Sequence, residues 1–213
     1  MTTTHLPLIS RRLLLAGVPG LALAGCSGLL GPSEAPKLYV LRPKLAAAVA
    51  GAKVPWALSI VAPDAGAGLD SERIAIVRPP ASLDYYADAA WSDRLPALLQ
   101  DALLDAFEAS GRIDAVSRDT NGAHADYILA VDVRDFEARY DQPDGAPTAV
   151  VRLGVKLLSA LKRDIVARFD AAEEVPATQN SVDAAVEALD TALAHALAKI
   201  VAWALNASPP TAK

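Results

Sequence analysis

The most constraining feature of this chain is a period-two alternation that recurs between residues 127 and 169. Tyr127, Leu129, Val131 and Val133 alternate with smaller or charged residues, as do Val151, Leu153, Val155 and Leu157; Ile165, Ala167 and Phe169 repeat the pattern. Successive side chains of a strand point to opposite faces, so each run buries one face and wets the other. The polar turn Lys162-Arg163-Asp164 joins the last two runs and predicts an antiparallel hairpin. The loop from Asp141 to Pro147, which holds two prolines and Gly145, leads the preceding long strand into it.

A sheet with one apolar face needs a covering layer, and two amphipathic segments supply it. Ser92 or Asp93 can cap a helix running to Ser110, with Gly111 as its stop and Pro96 in the first turn. Leu95, Leu98, Leu99, Ala102, Leu103 and Ala106 share one face; Arg94, Asp101, Asp105 and Glu108 share the other. Leu104 and Phe107 fall off the stripe. Asn180 or Ser181 starts a longer helix to Leu205, about 37 Å at 1.5 Å per residue. Its stripe is Val182, Val186, Leu189, Leu193, Leu197, Ile200 and Ala204, with Asp183, Glu187 and Asp190 on one edge and His195 and Lys199 opposite. Those charges argue against a membrane span.

Leu38–Leu41, Ala57–Val61 and Ile74–Val77 are short apolar runs that end near Pro43, Pro63 and Pro79, a length that suits strands. Ala46–Ala50 is at most a helical turn before Gly51 and Pro55. A crossover from Ile74 through the first helix to Ile113–Val116 completes the expected α+β two-layer sandwich: a mixed, mostly antiparallel sheet packed by two long helices.

The N-terminus reads differently. Arg11 and Arg12 precede the mostly apolar run Leu13–Leu23, and Leu23-Ala24-Gly25-Cys26 has the form of a lipobox. Residues 1–25 are then a lipoprotein signal peptide and Cys26, the only cysteine, carries diacylglycerol and an N-acyl chain such as palmitate. Ser10-Arg11-Arg12-Leu13-Leu14 also resembles a twin-arginine signal, so both export routes fit. Residues 26–36, rich in Gly, Pro and Ser, form a linker; residues 37–207 suit one domain; residues 208–213 form a frayed tail. Ser27 stands where lipoprotein sorting places aspartate for inner-membrane retention, which points to an outer-membrane anchor facing the periplasm.

With one cysteine no internal disulfide can form, so the core must hold the fold. Loss of residues 1–25 leaves 18 of the 20 basic residues against 25 acidic ones, a net charge of about −7, and argues against nucleic acid as a partner. His124 and His195 without a thiolate make no zinc site, so no metal is expected. Asp84 with Asp88, and Asp132 with Asp135, read as solvated carboxylates rather than an acid–base pair. No phosphate-binding glycine motif is present.

Three stretches carry a family resemblance: Lys37-Leu38-Tyr39-Val40-Leu41; Leu69 to Pro79 with Leu83-Asp84-Tyr85-Tyr86; and Trp91-Ser92-Asp93-Arg94-Leu95-Pro96-Ala97-Leu98-Leu99-Gln100. This succession resembles the ABC-type transport auxiliary lipoproteins, which accompany mammalian-cell-entry (MCE) domain lipid transporters. The resemblance implies a non-enzymatic, cofactor-free docking lipoprotein whose partners are an MCE-domain protein, a permease and an ATPase, with a homo-oligomer allowed. Tyr85, Tyr86, Trp91, Leu104 and Phe107 are the residues from which a partner interface would be built. Two other readings stay open: a lipid-carrying periplasmic domain with an apolar groove between sheet and helices, and, well behind it, a periplasmic hydrolase.

Overall fold

The computed structural model describes Thr2, residues 35–45 and residues 51–207. Cys26, the linker up to Glu34, Ala46–Ala50 and the tail from Ser208 lie outside the described residues. Contacts divide the chain into Met1–Ala35 and Pro36–Lys213; the fold below is that of the second unit.

Its elements are β1 (Lys37–Tyr39), β2 (Leu58–Ile60), β3 (Asp64–Ala65), β4 (Arg73–Arg78), β5 (Ser82–Trp91), α1 (Leu95–Ala109), β6 (Val116–Arg118), β7 (Tyr127–Arg139), β8 (Thr148–Ser159), β9 (Ile165–Pro176) and α2 (Val182–Asn206). The alternating runs form the antiparallel meander β7–β8–β9, with Val131 opposite Val155 and Val155 opposite Phe169. The other edge of β7 is shared end to end by three short parallel strands: β2 along Tyr127–Leu129, β3 along Asp132–Val133 and β4 along Glu137–Arg139. β6 extends the sheet beyond β2, while β5 and then β1 extend it beyond β4. The result is the expected mixed α+β sheet, antiparallel within β4–β5 and the β7–β8–β9 meander and parallel where β1, β2, β3, β4 and β6 meet their other neighbours.

Both helices cover the apolar face. Ala184, Ala185, Ala188, Ala192 and Ala196 are buried beside the expected Leu189, Leu193, Leu197 and Ile200. The buried side of α2 is therefore broader than a single stripe, and its small residues let it lie close to β8 and β9. Each buried Leu or Ile there contributes about 1.5–3 kcal/mol. By length and composition α2 could cross a membrane, but 56% of its most apolar window is inside the fold. Ser181 caps it as expected, accepting a hydrogen bond from Ala184 N–H at 3.2 Å.

The start of α1 differs from expectation. Its cap position is Arg94, with no side-chain cap, and Asp93 accepts only from Arg94 N–H at 2.6 Å. Pro96 removes one of the first-turn donors that a cap would serve. The Leu95 N–H donates instead to Ser71 O at 3.1 Å, so a loop distant in sequence does the capping. The crossover also takes another route. β4 first reverses into β5, α1 follows β5, and Val116–Arg118 pairs with β2, Ile113 making only a bridge to Val54.

The far face of the sheet is wet and laced with ion pairs. Lys156 binds Asp132 at 2.7 Å, Arg152 pairs with Asp135, and Arg139 reaches across β8 to grip Glu174 through both terminal nitrogens at 2.9 and 2.8 Å. That bidentate contact, with Arg139 as the chief cause, holds the Glu174 carboxyl below its ordinary range. Burial, and then the charge of Asp135, pushes the Glu137 carboxyl up.

Candidate interaction surface

The residues singled out for partner contact separate into three groups. Trp91 and Phe107 are fully buried. Trp91 stands edge-on to Phe136 with ring centroids 6.0 Å apart, and its backbone N–H donates to Glu72 O at 2.6 Å. Phe107 leaves the helical stripe because α1 is packed from two sides, against the sheet and against α2, so an off-stripe position still meets the core. Neither side chain has surface to offer. Leu104 is half-buried and leans on the same core.

Tyr85 and Tyr86 remain, on opposite faces of β5. Tyr86 turns toward α2 beside Ile76, Tyr140 and Ala185. Its hydroxyl lies 2.9 Å from that of Tyr140, which donates to Asn180 Oδ1 at 3.0 Å; Tyr86 is thus the donor to Tyr140. Burial, then the Tyr140 hydroxyl, pushes the Tyr86 phenol far above its ordinary value. Tyr85 points to the wet face. Its hydroxyl donates to Gly68 O at 3.0 Å and the Arg73 guanidinium lies 3.4 Å from the ring centroid. Arg78 and Asp84, 3.4 Å apart, bracket the same hairpin. The accessible part of the β4–β5 hairpin is therefore Tyr85 with Leu83, whose side chain is exposed and leans over Gly68.

The polar run before β4 is a clasp. Asp70 pairs with Arg94, Ser71 O receives the first amide of α1, and Glu72 O receives the Trp91 amide. Gln100 is buried, donating to Ile60 O at 2.9 Å and accepting from Arg118 Nη1 at 3.0 Å, so it ties α1 to β2 and β6. Each of these residues thus closes the fold around α1.

The N-terminal segment is held by the acidic edge of α2. Asp183 accepts from Lys37 Nζ at 2.6 Å and from the Tyr39 hydroxyl at 2.7 Å, and Asp190 Oδ1 accepts from Arg42 N–H at 3.0 Å. The Lys37 contact, then Tyr39, holds the Asp183 carboxyl below its usual range.

Residues 39–201 match the profile of the family described as the ABC-type transport auxiliary lipoprotein component. The chain belongs to that family. Among solved structures, a crystal structure of a Xanthomonas campestris protein is similar at 33% identity and a TM-score of 0.73, covering 79% of this chain and 94% of that one. A second, of an uncharacterized protein, has a TM-score of 0.63 at 16% identity, covers 79% and 98% of the two chains, and shows the fold alone. An uncharacterized protein of Bradyrhizobium diazoefficiens is 28% identical over 151 residues, 70% of this chain but 40% of the relative; the chain thus spans well under half of that relative's length. The family is that of an auxiliary lipoprotein component of ABC-type transport.

The surface clefts of the described residues include two beside α1. One of about 450 Å³ runs between residues 40–45 and α1, lined by Leu41, Leu45, Leu98, Ala102 and the carboxylates Asp101 and Asp105. The other, about 320 Å³, lies at the start of α1 beside Asp70 and Arg94. Asp84, Asp88, His124 and His195 line neither cleft. Asp132 and Asp135 are taken up by Lys156 and Arg152. Among the described residues no group of three or more His, Cys, Asp or Glu is placed to hold a metal ion. Several apolar residues that the sequence placed in strand runs are exposed: Leu38 in β1, Val40 just after it and Ile165 at the start of β9, with Leu161 exposed in the turn before it.

Proposed function

We propose that this family member is a non-enzymatic docking lipoprotein of an MCE-associated transporter that moves phospholipid or a related lipid across a Gram-negative envelope. Cys26 carries diacylglycerol and an N-acyl chain, palmitate among the candidates, and Ser27 directs the anchor to the outer membrane, facing the periplasm. Each buried methylene contributes about 0.8 kcal/mol, and two or more acyl chains make a stable tether. The single observation that carries the reading is the family profile along residues 39–201.

The partners are an MCE-domain protein, with the permease and ATPase of the same system. The docking surface is the outer side of the β4–β5 hairpin, where Leu83 and Tyr85 stand beside Arg73. Aromatic and arginine side chains on a rigid hairpin are suited to this use. Support for the tether comes from the clasp of Asp183 and Asp190 on residues 37–42, which passes tension from the N-terminus to α2 rather than to β1 alone.

Purification of the tagged chain from membranes in mild detergent should recover the MCE-domain and permease subunits, and labelling with palmitate should mark wild type but not Cys26→Ala. Recovery of neither subunit would overturn the docking reading; palmitate on the Cys26→Ala chain would overturn the anchor.

A further inference from the structure

The β8–β9 turn combines features that its own fold does not use. Leu161 is 77% exposed and Ile165 40% exposed, flanking a turn that also carries Lys162 and Arg163. The turn is well pinned: Arg163 N–H donates to Ser159 O at 2.9 Å, Ser159 N–H to Asp164 O at 3.0 Å, and Ala160 N–H to Asp126 O at 2.9 Å. Arg163 holds a left-handed backbone, φ 59°, where glycine would be unstrained. A cation thus occupies a position that backbone geometry would give to another residue.

Charge pairing separates this turn from much of the surface. Among the described residues, Lys37, Lys53, Arg78, Arg94, Arg118, Arg134, Arg139, Arg152, Lys156 and Lys199 are in ion pairs; Arg42, Lys44, Arg73 and Arg112 are in none, and neither are Lys162, Arg163 and the nearby Arg168 of β9, which cluster at one end of the sheet. These three cations outnumber the local carboxylates, Asp164 in the turn and Asp126 beside it, whose Oδ2 accepts from Ala57 N–H at 2.8 Å. Two apolar side chains fall far short of the roughly 800 Å² per partner that a stable protein interface buries. For a bilayer that already holds the chain by a lipid, such a small contact is sufficient, because the tether makes the second contact intramolecular.

The placement also fits. Lys37, where the chain enters the domain, lies against Asp183 in the first turn of α2, whereas Trp203 in its last turn stacks on Phe169 of β9 with centroids 5.4 Å apart. The turn and Lys37 are therefore at opposite ends of α2, which rises about 37 Å along its axis.

We propose that the β8–β9 turn touches an anionic phospholipid surface, Leu161 and Ile165 entering the headgroup layer while Lys162, Arg163 and Arg168 meet the lipid phosphates, so that α2 lies along the bilayer holding the anchor. This goes beyond the docking role and draws on it only for the Cys26 anchor. Once the Cys26 sulfur is acylated, Leu161→Cys introduces the single free thiol of the mature chain. The lipidated chain, labelled there with an environment-sensitive fluorophore, is reconstituted in phosphatidylcholine vesicles with or without phosphatidylglycerol. A label at Asp144→Cys, in the loop at the other end of β8, is the control, and Asp164→Cys is the substitute should Leu161→Cys fold poorly.

The label at 161 should shift to the blue and be quenched by spin-labelled lipid in the phosphatidylglycerol vesicles, with little change at 144. Lys162→Glu with Arg163→Glu should reverse this, each neutralised cation alone weakening the contact about five-fold. Water-like emission at 161 in both vesicles would overturn the proposal, as would a shift that appears only when envelope proteins are added, which would assign the turn to a protein. Vesicle flotation after a salt wash reads the anchor separately; a chain that washes off fails the Cys26 reading, while the emission at 161 still decides the contact made by the turn.

Discussion

Arg134 lies across Gly154. A Cβ at position 154 would stand 2.7 Å from Arg134 Nη2, and beyond the bare backbone of β8 the guanidinium meets Asp170 of β9 at 2.8 Å. A central strand thus leaves out one side chain so that a cation can reach over it to the next strand.

Gly154→Ala should leave overall stability within about 1 kcal/mol of wild type, because the strand entropy regained and the exposed ion pair lost are of similar size. The coupling between Arg134 and Asp170 is the sharper readout. A double-mutant cycle should give a few tenths of a kcal/mol in wild type and none in the Gly154→Ala background; unchanged coupling would mean that the guanidinium does not need the gap.

Trp91 and Phe107 belong to the core. Phe107→Ala and Trp91→Ala should each destabilise the fold by about 3–5 kcal/mol in denaturant unfolding. Tyr85→Ala, which exposes no cavity of that kind, should unfold close to wild type and weaken recovery of the MCE-domain subunit. Normal stability in the Phe107 variant would contradict its burial.

Gln100→Ala should cost about 1–3 kcal/mol, since the Ile60 carbonyl and the Arg118 guanidinium both lose a partner at a buried site. Gln100→Glu keeps an acceptor for Arg118 and removes the donor to Ile60, so its stability should fall between the two.

Burial holds the Asp190 carboxyl above its ordinary range, and the hydrogen bond from Arg42 N–H opposes this only in part. A carboxyl whose folded pKa exceeds its unfolded value of about 3.9 favours the fold when protonated; that contribution is complete below the unfolded pKa and lost as pH rises through the folded one. Asp190→Asn retains an acceptor without the charge. It should melt higher than wild type at pH 7, the gap narrowing as pH falls through the raised folded pKa and closed below about 4; equal melting at pH 7 would contradict the burial of a charged carboxylate.

Asp183 behaves oppositely. Its lowered pKa means that the Lys37 and Tyr39 contacts persist at neutral pH and fail only as pH falls through a value below the ordinary aspartate range. Asp183→Ala should raise amide exchange in residues 37–42 at pH 7 while changing global unfolding little, because the pair is exposed. Unchanged exchange there would show that pairing with β5 holds the segment unaided.

The meander, both helices and the Ser181 cap were legible in the sequence because alternation, amphipathic spacing and a capping hydroxyl act over a few neighbouring residues. β5 was not. Its Asp84, Ala87, Asp88, Ala89 and Ala90 are weak strand formers, and they adopt that state because β4 and β1 hydrogen-bond to both of its edges. The same holds for the start of α1, where Ser71 O does the work of a local cap.

By itself, then, the sequence determined the α+β class, the hairpin and its turn, the long helix, and the residues that mark the family. Tertiary structure alone decided that Phe107 and Trp91 are core rather than surface, that three short strands share one edge of β7, and that Leu161 remains in water with unpaired cations beside it. Periodicity reports which side of one element is apolar; burial depends on how many other elements close over it, and that is settled only when distant segments pack.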